Sequence, residues 1–416
     1  MSPLDRPPAR SARSTWRSGH RRRAALAVAL AVAALGAACS SGGPASTAPA
    51  GSGVRSTGNI DTQFSIPGPY AAGTARYVMP DGDPIQVWYP VDRSATVGKH
   101  TYTYQLRSWV PASLAQNPAL ASLPDSVPTT AYQNLPAATD AGPSGDPSHR
   151  FPVVLFSHGF GSYPEQSSFL TDHLATWGFV VAAPDHRSRD LAAVLTNTVS
   201  VHAGPPSTTA PDVQDLRTTL AFLRTMDAEG GSLLFHRLDF SRIGVVGHSA
   251  GGGAAISLAG DADIRTYVAL APAPGVPPTT SKPGLVMVGS SDTIVPPGSV
   301  RTTFDSLPSP KREIIIDKGG HNVFDDICEI HTGSTRLVDI LQKLPHGGSG
   351  IGAFTTLATD GCFPPDVSPP LAWPLIDQAT TAQLRYGLGI DTGPVGLGSG
   401  LDHAFHGVTA SVTADG

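Results

Sequence analysis

A serine lies between two glycines in the stretch 247–251, which reads Gly-His-Ser-Ala-Gly. The apolar, mostly β-branched run Ile243–Val246 before it predicts a buried parallel strand. The small and apolar residues of Ala250–Ala259 after it predict a helix that ends at a glycine. A serine at such a strand–turn–helix junction raises its hydroxyl above the sheet edge. We therefore predict that Ser249 is a nucleophile. The alternative is a Gly-Ser turn without chemistry, and the flanking strand and helix favour the nucleophile.

A serine hydroxyl attacks efficiently only when an imidazole takes its proton and a carboxylate orients that imidazole. In an open parallel sheet such groups lie at the carboxyl ends of strands. Asp292 and His321 each lie just after a predicted strand, and two glycines precede His321. The sequence therefore predicts Asp292 as the acid and His321 as the base, in the chain order Ser, Asp, His. The rival acid is Asp317, which is close to His321 in sequence and is expected to be structural.

The negative oxygen that forms during acyl transfer needs two backbone N–H donors. We expect one to be that of Ala250, directly after the nucleophile. We expect the other to be that of Phe160, in the loop after the predicted strand 153–156, with Gly161 as second choice. His158 in the same loop is predicted to brace the backbone rather than to act as a base.

Predicted strands alternate with predicted helices along most of the chain, which indicates βαβ units and a mainly parallel sheet flanked by helices. The strands are predicted at 75–79, 85–89, 153–156, 179–183, 243–246, 266–270, 285–288 and 313–317, and the helices at 164–177, 211–228 and 250–259. Two long irregular excursions, 93–150 and 187–210, interrupt this pattern. Each is expected either to cover the site or to be a surface insertion.

Composition describes an ordinary globular protein: 416 residues, 40% hydrophobic and a net charge of −5. Nothing in that charge argues for a nucleic-acid partner, and none is expected. The 45 glycines and 39 prolines predict long loops.

The first 39 residues are predicted to be an export signal, because a basic start is followed by the uncharged apolar run Ala24–Ala38. Small residues before Cys39 resemble a bacterial lipoprotein signal, so Cys39 is a candidate for lipidation and membrane anchoring; the alternative is plain secretion. The Ser/Gly/Ala/Pro/Thr-rich stretch 40–60 is predicted to be a disordered tether. An exported protein, anchored at the cell surface or secreted, is expected.

The chain has three cysteines, and if Cys39 is lipidated or cleaved away, Cys328 and Cys362 remain. Outside the cytosol such a pair more often forms a bridge than stays reduced, so we predict a disulfide between Cys328 and Cys362. Two buried free thiols are the alternative.

Two polar clusters are candidates for further sites. The acid-rich segment 325–331 offers carboxylates and His331, but without diagnostic metal-ligand spacing, so a solvated helix start is expected instead and no metal. His186, with Arg187 and Arg189, lies at another strand end and is expected either to line the site or to form structural ion pairs.

Three stretches, 156–161, 177–187 and 247–252, resemble the α/β-hydrolase superfamily. They look like its platelet-activating-factor acetylhydrolase-related branch and like bacterial cutinase and polyester-hydrolase-like lipases. The resemblance implies a single α/β-hydrolase domain over 61–416 and a serine ester hydrolase that needs no cofactor or metal. The platelet-activating-factor enzymes carry their acid after the strand that follows the nucleophile helix. Here that strand leads into Ala269–Pro272 without an acid, and Asp292 comes one strand later, as in the cutinase-like enzymes.

The sequence therefore predicts an exported carboxylic ester hydrolase that acts on small-molecule, lipid or polymer esters. Three alternatives stay open: a platelet-activating-factor or phospholipid acyl hydrolase, an acyltransferase that uses the same triad, and a non-catalytic surface lipoprotein. Chain-length preference, oligomeric state and the physiological ester do not follow from the sequence.

Overall fold

The computed structural model of the chain describes residues 61–139, 150–196, 209–275, 277, 281–344, 346 and 351–416. The predicted export signal, Cys39 and the predicted tether lie outside these residues. So do 140–149 and 197–208, which belong to the two predicted excursions.

Strands account for most of the centre of the fold. The strands in the described residues are β1 (Ala71–Val78), β2 (Pro84–Val91), β3 (Thr103–Gln105), β4 (Ser126–Pro128), β5 (Tyr132–Gln133), β6 (Phe151–Ser157), β7 (Val180–Pro184), β8 (Leu238–His248), β9 (Ile264–Leu270), β10 (Gly284–Gly289), β11 (Lys311–Ile316), β12 (His331–Thr332), β13 (Thr335–Arg336) and β14 (Ala410–Asp415).

Ten of these strands form one sheet in the order β14-β11-β10-β9-β8-β6-β7-β2-β1-β5. The six central strands, from β11 to β7, pair in parallel, as the alternation of strands and helices predicts. On one side β2 pairs antiparallel with β7, and on the other β14 pairs antiparallel with β11. The parallel centre brings the carboxyl ends of β6, β8, β10 and β11 to one edge of the sheet, where ligands bind in folds of this kind.

Helices cover both faces of this sheet. The α-helices in the described residues are α1 (Ala112–Ala115), α2 (Pro118–Ala121), α3 (Ser168–Thr176), α4 (Leu191–Leu195), α5 (Ala210–Ala228), α6 (Ala250–Leu258), α7 (Pro297–Ser306), α8 (Leu337–Leu341), α9 (Ile351–Thr359) and α10 (Pro369–Gly387). Helices α5, α6 and α7 pack on one face, and α3 and α10 pack on the other. No helix in the described ranges is long and apolar enough to cross a membrane.

Successive residues of the central strands point into different cores. In β6, Val153 and Leu155 face the core under α5, α6 and α7, and Val154 and Phe156 face the core under α3 and α10. A strand buried on both faces needs an unbroken apolar run, which is the pattern that predicted it.

A second, four-stranded sheet in the order β13-β12-β4-β3 joins the first excursion to the chain after His321. Its apolar cluster includes Tyr104, Trp109 and Val127 from the excursion, with Leu191, Ile330 and Leu337 from elsewhere. The described part of 93–150 therefore packs on the body of the protein.

The structure corrects two expectations about elements. The helix predicted at 164–177 begins only at Ser168, because Glu165, Gln166 and Ser167 are buried and bond to other segments. The long C-terminal helix α10 and the edge strand β14 were not predicted. Two adjacent prolines at its start, Pro369 and Pro370, and Pro374 inside it obscured its helical pattern.

Candidate active site

Ser249 lies at the sharp turn between β8 and α6, with φ 57° and ψ −119°. A non-glycine residue at positive φ is strained, and here the strain lifts the serine above the sheet edge. Two glycines permit the turn: a Cβ on Gly247 would lie 2.0 Å from the carbonyl oxygen of Gly251, and one on Gly251 would lie 2.0 Å from that of Ser157. The predicted nucleophile therefore has the backbone geometry of a nucleophile elbow.

His321 and Asp292 form a buried pair beyond the ends of β11 and β10. Nδ1 of His321 donates to Oδ2 of Asp292 at 2.9 Å. The other oxygen, Oδ1, accepts the N–H groups of Ile294 at 2.9 Å and Val295 at 2.7 Å, which fixes the carboxylate. The rival Asp317 is exposed and accepts from the Thr409 hydroxyl at 3.3 Å instead. The structure therefore joins His321 to Asp292 and not to Asp317.

The pairing at Nδ1 leaves Nε2 of His321 with a lone pair. Nε2 is buried, and no group among the described residues hydrogen-bonds to it. The Ser249 hydroxyl likewise makes no hydrogen bond to His321 there. The ring of His321 lies 4.7 Å from the ring of His248, the residue before Ser249. Catalytic hydrogen bonds are often long in ligand-free enzymes and tighten when substrate binds.

The loop after β6 lies directly on the nucleophile, since a Cβ on Gly159 would be 3.5 Å from Cβ of Ser249. Among the described residues, no group accepts the N–H of Phe160. The N–H of Ala250 opens α6 and so has no acceptor within that helix. The second-choice donor is excluded, because the N–H of Gly161 donates to the carbonyl of Arg189 at 2.7 Å. Phe160 and Ala250 thus stay as the two predicted donors.

Arg189 stabilises the loop after β6 through hydrogen bonds to its backbone carbonyls. Its fully buried guanidinium donates to the carbonyl oxygens of His158 at 2.5 Å and Gly159 at 2.7 Å, and to Asp212 at 2.8 Å. His158 braces the same turn, as predicted: its Nδ1 donates to the Gly159 carbonyl and its Nε2 accepts the N–H of His186. Burial, reinforced by the nearby Arg189 charge, lowers the pKa of His158 to about 3, so its ring is neutral.

Gln166 and His248 connect the loop after β6 to His321, the predicted base. Oε1 of Gln166 accepts the N–H of Gly159, and its Nε2 donates to Nδ1 of His248 at 2.9 Å. Nε2 of His248 then donates to the carbonyl of His321 at 3.1 Å. Burial, with the neighbouring His321 ring second, lowers the pKa of His248 well below its usual value, so His248 is neutral. Sequence reasoning missed Gln166, for which no local pattern exists.

The predicted solvated helix start at 325–331 is wrong. Asp325 and Asp326 are buried, and Oδ2 of Asp326 accepts the N–H of Ser168 at 2.7 Å at the start of α3. Burial raises the pKa of Asp326 to about 7. Long-range packing on α3 converts an acid-rich segment into a buried cap, which the local sequence does not reveal.

His186, Asp212 and Asp215 place metal-ligating atoms within 4.8 Å of one another. These atoms already have partners: Nδ1 of His186 bonds Asp215 at 2.8 Å, its Nε2 bonds the Ser157 hydroxyl at 2.8 Å, and Asp212 holds Arg189. The donor set therefore fits an ion-pair network around Arg189 better than a metal ion. Of the two roles expected for His186, the structural one applies.

The disulfide between Cys328 and Cys362 is present, with 5.2 Å between their Cα atoms. It fastens the segment after His321 to the end of α9. That helix brings Phe354 and Leu357 against an apolar cluster formed by Phe160, Val194 and Ala250. An apolar wall thus lies beside both predicted oxyanion donors.

Comparison with known proteins finds sequence similarity to hydrolases. Residues 143–335 match a PET hydrolase-like family. The chain is 27% identical over 258 residues to platelet-activating factor acetylhydrolase of Cavia porcellus, covering 54% of this chain and 55% of the relative. It is 31% identical over 197 residues to bis(hydroxyethyl) terephthalate hydrolase of Streptomyces coelicolor, covering 44% and 54%. The chain thus spans about half the length of these curated relatives.

A solved structure, the ferulic acid esterase of Streptomyces cinnamoneus, superposes with a TM-score of 0.52 at 21% identity, over 79% of this chain and 93% of that one. This likeness shows the fold. It agrees with the mainly parallel sheet, the elbow at Ser249 and the matches to hydrolase sequences. The chain therefore has an α/β-hydrolase fold.

Proposed function

We propose that the protein hydrolyses carboxylic esters through an acyl-enzyme on Ser249. The observation that carries this proposal is the convergence, at one sheet edge, of the strained Ser249 and the buried His321–Asp292 pair joined at 2.9 Å. The similarity to two curated hydrolases supports it.

The residues would act in two stages. The Ser249 hydroxyl attacks the ester carbonyl carbon while its proton passes to Nε2 of His321, and the N–H groups of Phe160 and Ala250 hold the oxyanion. The alcohol then leaves with that proton. Water, deprotonated by His321, attacks the acyl-serine, and the acid leaves as the serine recovers its proton.

The preferred ester has an apolar group beside its carbonyl. Phe160, Val194 and Ala250, with Phe354 and Leu357, form an apolar cluster next to the predicted oxyanion donors, and a hydrocarbon or aromatic group would lose contact with water there.

The test is hydrolysis of a p-nitrophenyl ester series from acetate to palmitate by the full chain. Wild-type turnover that Ser249→Ala lowers by at least about 10³-fold, with unchanged thermal unfolding, is the expected result. A fully active Ser249→Ala variant would sink the assignment. His321→Ala is expected to lose activity similarly, because residues of one triad act as a unit.

A phospholipid acyl hydrolase is the second candidate, since the guinea-pig relative is named a platelet-activating factor acetylhydrolase. Assay of phospholipids with a short sn-2 acyl chain separates it from a general esterase. Product analysis with added alcohols identifies acyl transfer, which would yield a new ester instead of the free acid.

We also propose that the protein works outside the cytosol and is anchored through Cys39. The Cys328–Cys362 disulfide supports export, because cytosolic thiols are kept reduced. Fractionation of cells that express the full chain tests this: the protein should follow the membrane, and Cys39→Ser should release it. Recovery of the wild type in the cytosol would contradict the proposal.

A further inference from the structure

The segment 360–367 lies along both loops that carry the predicted acid and base. The carbonyl of Asp360 accepts the N–H of Asn322 at 3.0 Å, and the N–H of Val367 donates to the carbonyl of Lys318 at 2.8 Å. The side chain of Asp366 bonds Ser291, next to Asp292. This segment lies after the family match, which ends at residue 335.

The carboxylate of Asp360 touches both loops at once. Oδ1 accepts the backbone N–H of His321 at 2.5 Å. Oδ2 accepts the N–H of Thr293 at 3.3 Å and also the Thr293 hydroxyl. The Asp360 side chain therefore links His321 to Thr293, the residue after Asp292. This link is additional to the direct hydrogen bond between His321 and Asp292 at 2.9 Å.

Asp360 is itself held firmly. The next residue, Gly361, has φ +86° and lies in backbone contact with Gly320, where an added Cβ would be 2.3 Å from the Cα of Gly361. Cys362 follows, bonded to Cys328. The close packing of Gly361 on Gly320 and the disulfide at Cys362 together fix the position of the Asp360 carboxylate.

We propose that Asp360 is a positioning residue that sets the alignment of His321 with Asp292; this rests on the proposed function of that pair. Hydrogen bonds to a charged acceptor are shorter and stronger than neutral ones. Removal of this carboxylate frees the backbone N–H groups of His321 and Thr293, so the two loops can shift relative to each other. A misplacement of about 1 Å can cost on the order of 100-fold in rate.

The test compares Asp360→Ala, Asp360→Asn and the control Asp366→Ala, a carboxylate on the same segment that bonds the acid loop but not His321. kcat and KM on p-nitrophenyl butyrate are measured from pH 5 to 9, together with thermal unfolding. Asp360→Ala is expected to lower kcat by about 10- to 100-fold with KM within twofold, and to alter the pH profile. Asp360→Asn should retain most of kcat, because its amide oxygen still accepts the His321 N–H. Wild-type kcat in Asp360→Ala, or an equal loss in Asp366→Ala, would overturn the proposal.

A second readout separates this proposal from the proposed function. The proton that Nδ1 of His321 donates to Asp292 gives a low-field NMR signal that needs no turnover. Asp360→Ala is expected to shift or broaden that signal, and Asp360→Asn to keep it. An unchanged signal in Asp360→Ala refutes the positioning role even if the wild type hydrolyses no ester. Conversely, wild-type hydrolysis that depends on Ser249 upholds the function whatever Asp360 does.

Discussion

At the scale of single residues, the site depends on a cation that touches no predicted catalytic group. Arg189 is fully buried, and its guanidinium supports the turn whose Phe160 N–H would hold the oxyanion. Its charge is balanced by Asp212 at 2.8 Å. The planar guanidinium carries five N–H donors in a fixed geometry, so this one side chain can satisfy two carbonyls and a carboxylate together.

Replacement of Arg189 by Ala should therefore destabilise the fold and impair turnover. Loss of one partner of a buried ion pair costs about 3–5 kcal/mol, because Asp212 is left uncompensated. Urea unfolding measures this, with ester hydrolysis below the unfolding transition as the second readout. Arg187→Ala is the matched control: Arg187 is exposed and pairs with Asp83 at the surface, so its loss should cost about 1 kcal/mol or less. Equal effects of the two substitutions would contradict this account.

At the scale of elements, α9 decides how closed the site is. Phe354 and Leu357 pack against the apolar cluster at Phe160, and the side chain of Asn322 donates to the Leu357 carbonyl at 2.8 Å. The helix is thus tied to the chain next to His321 and ends beside the disulfide. Helix α9 belongs to neither of the two excursions that the sequence suggested as covers for the site. The second excursion contributes Val194 to the same apolar cluster.

Phe354→Ala should shift the preferred acyl chain of the substrate to greater length. Removal of the ring opens space beside the predicted oxyanion donors, and a longer chain can then bury the apolar area that the ring buried. The ratio of kcat/KM for octanoate to that for acetate p-nitrophenyl esters should rise by about 10-fold, equivalent to about 1.4 kcal/mol. Leu371→Ala, which removes an exposed apolar side chain from α10, should leave the ratio unchanged. A constant ratio in Phe354→Ala would show that α9 does not line the acyl site.

At the scale of the whole molecule, stability depends on pH through buried aspartates and buried histidines, whose pKa values shift in opposite directions. Burial raises the pKa of Asp172, Asp185 and Asp326 to about 7 in each case. The folded state therefore holds protons that the unfolded chain releases, and this contribution to stability is lost as pH rises from about 4 to about 7. Burial lowers the pKa of His158 and His173, so their contribution is lost as pH falls below about 6.5.

A substitution isolates one of these contributions. Asp326→Asn cannot ionise but keeps an oxygen that accepts the Ser168 N–H. The free energy of unfolding of the variant minus that of the wild type should rise from pH 4 to pH 7 by at most about 4 kcal/mol and then level off. Urea titrations at several pH values measure it, and Asp263→Asn at an exposed position controls for the loss of one charge. A difference that is constant with pH would contradict the buried, protonated state of Asp326.

Local pattern was enough to determine the parallel core and the elbow of this protein. An apolar β-branched run, small flanking residues and a serine identify β8, the turn and α6 without knowledge of any distant contact. The order of strands likewise directs attention to Asp292 and His321, since both follow predicted strands. The cysteine count predicted the pairing of Cys328 with Cys362, which the structure contains.

Only the tertiary structure decided which groups share a hydrogen bond. Whether His321 meets Asp292 or Asp317 depends on how β10 and β11 align, and whether Gly161 keeps a free N–H depends on Arg189 from another loop. The burial of Asp326, the wall at Phe354 and the bridge at Asp360 arise from segments far apart in the chain. Hydrophobic periodicity reports the side of an element that is buried, but it carries no information about which distant polar group is packed against that element.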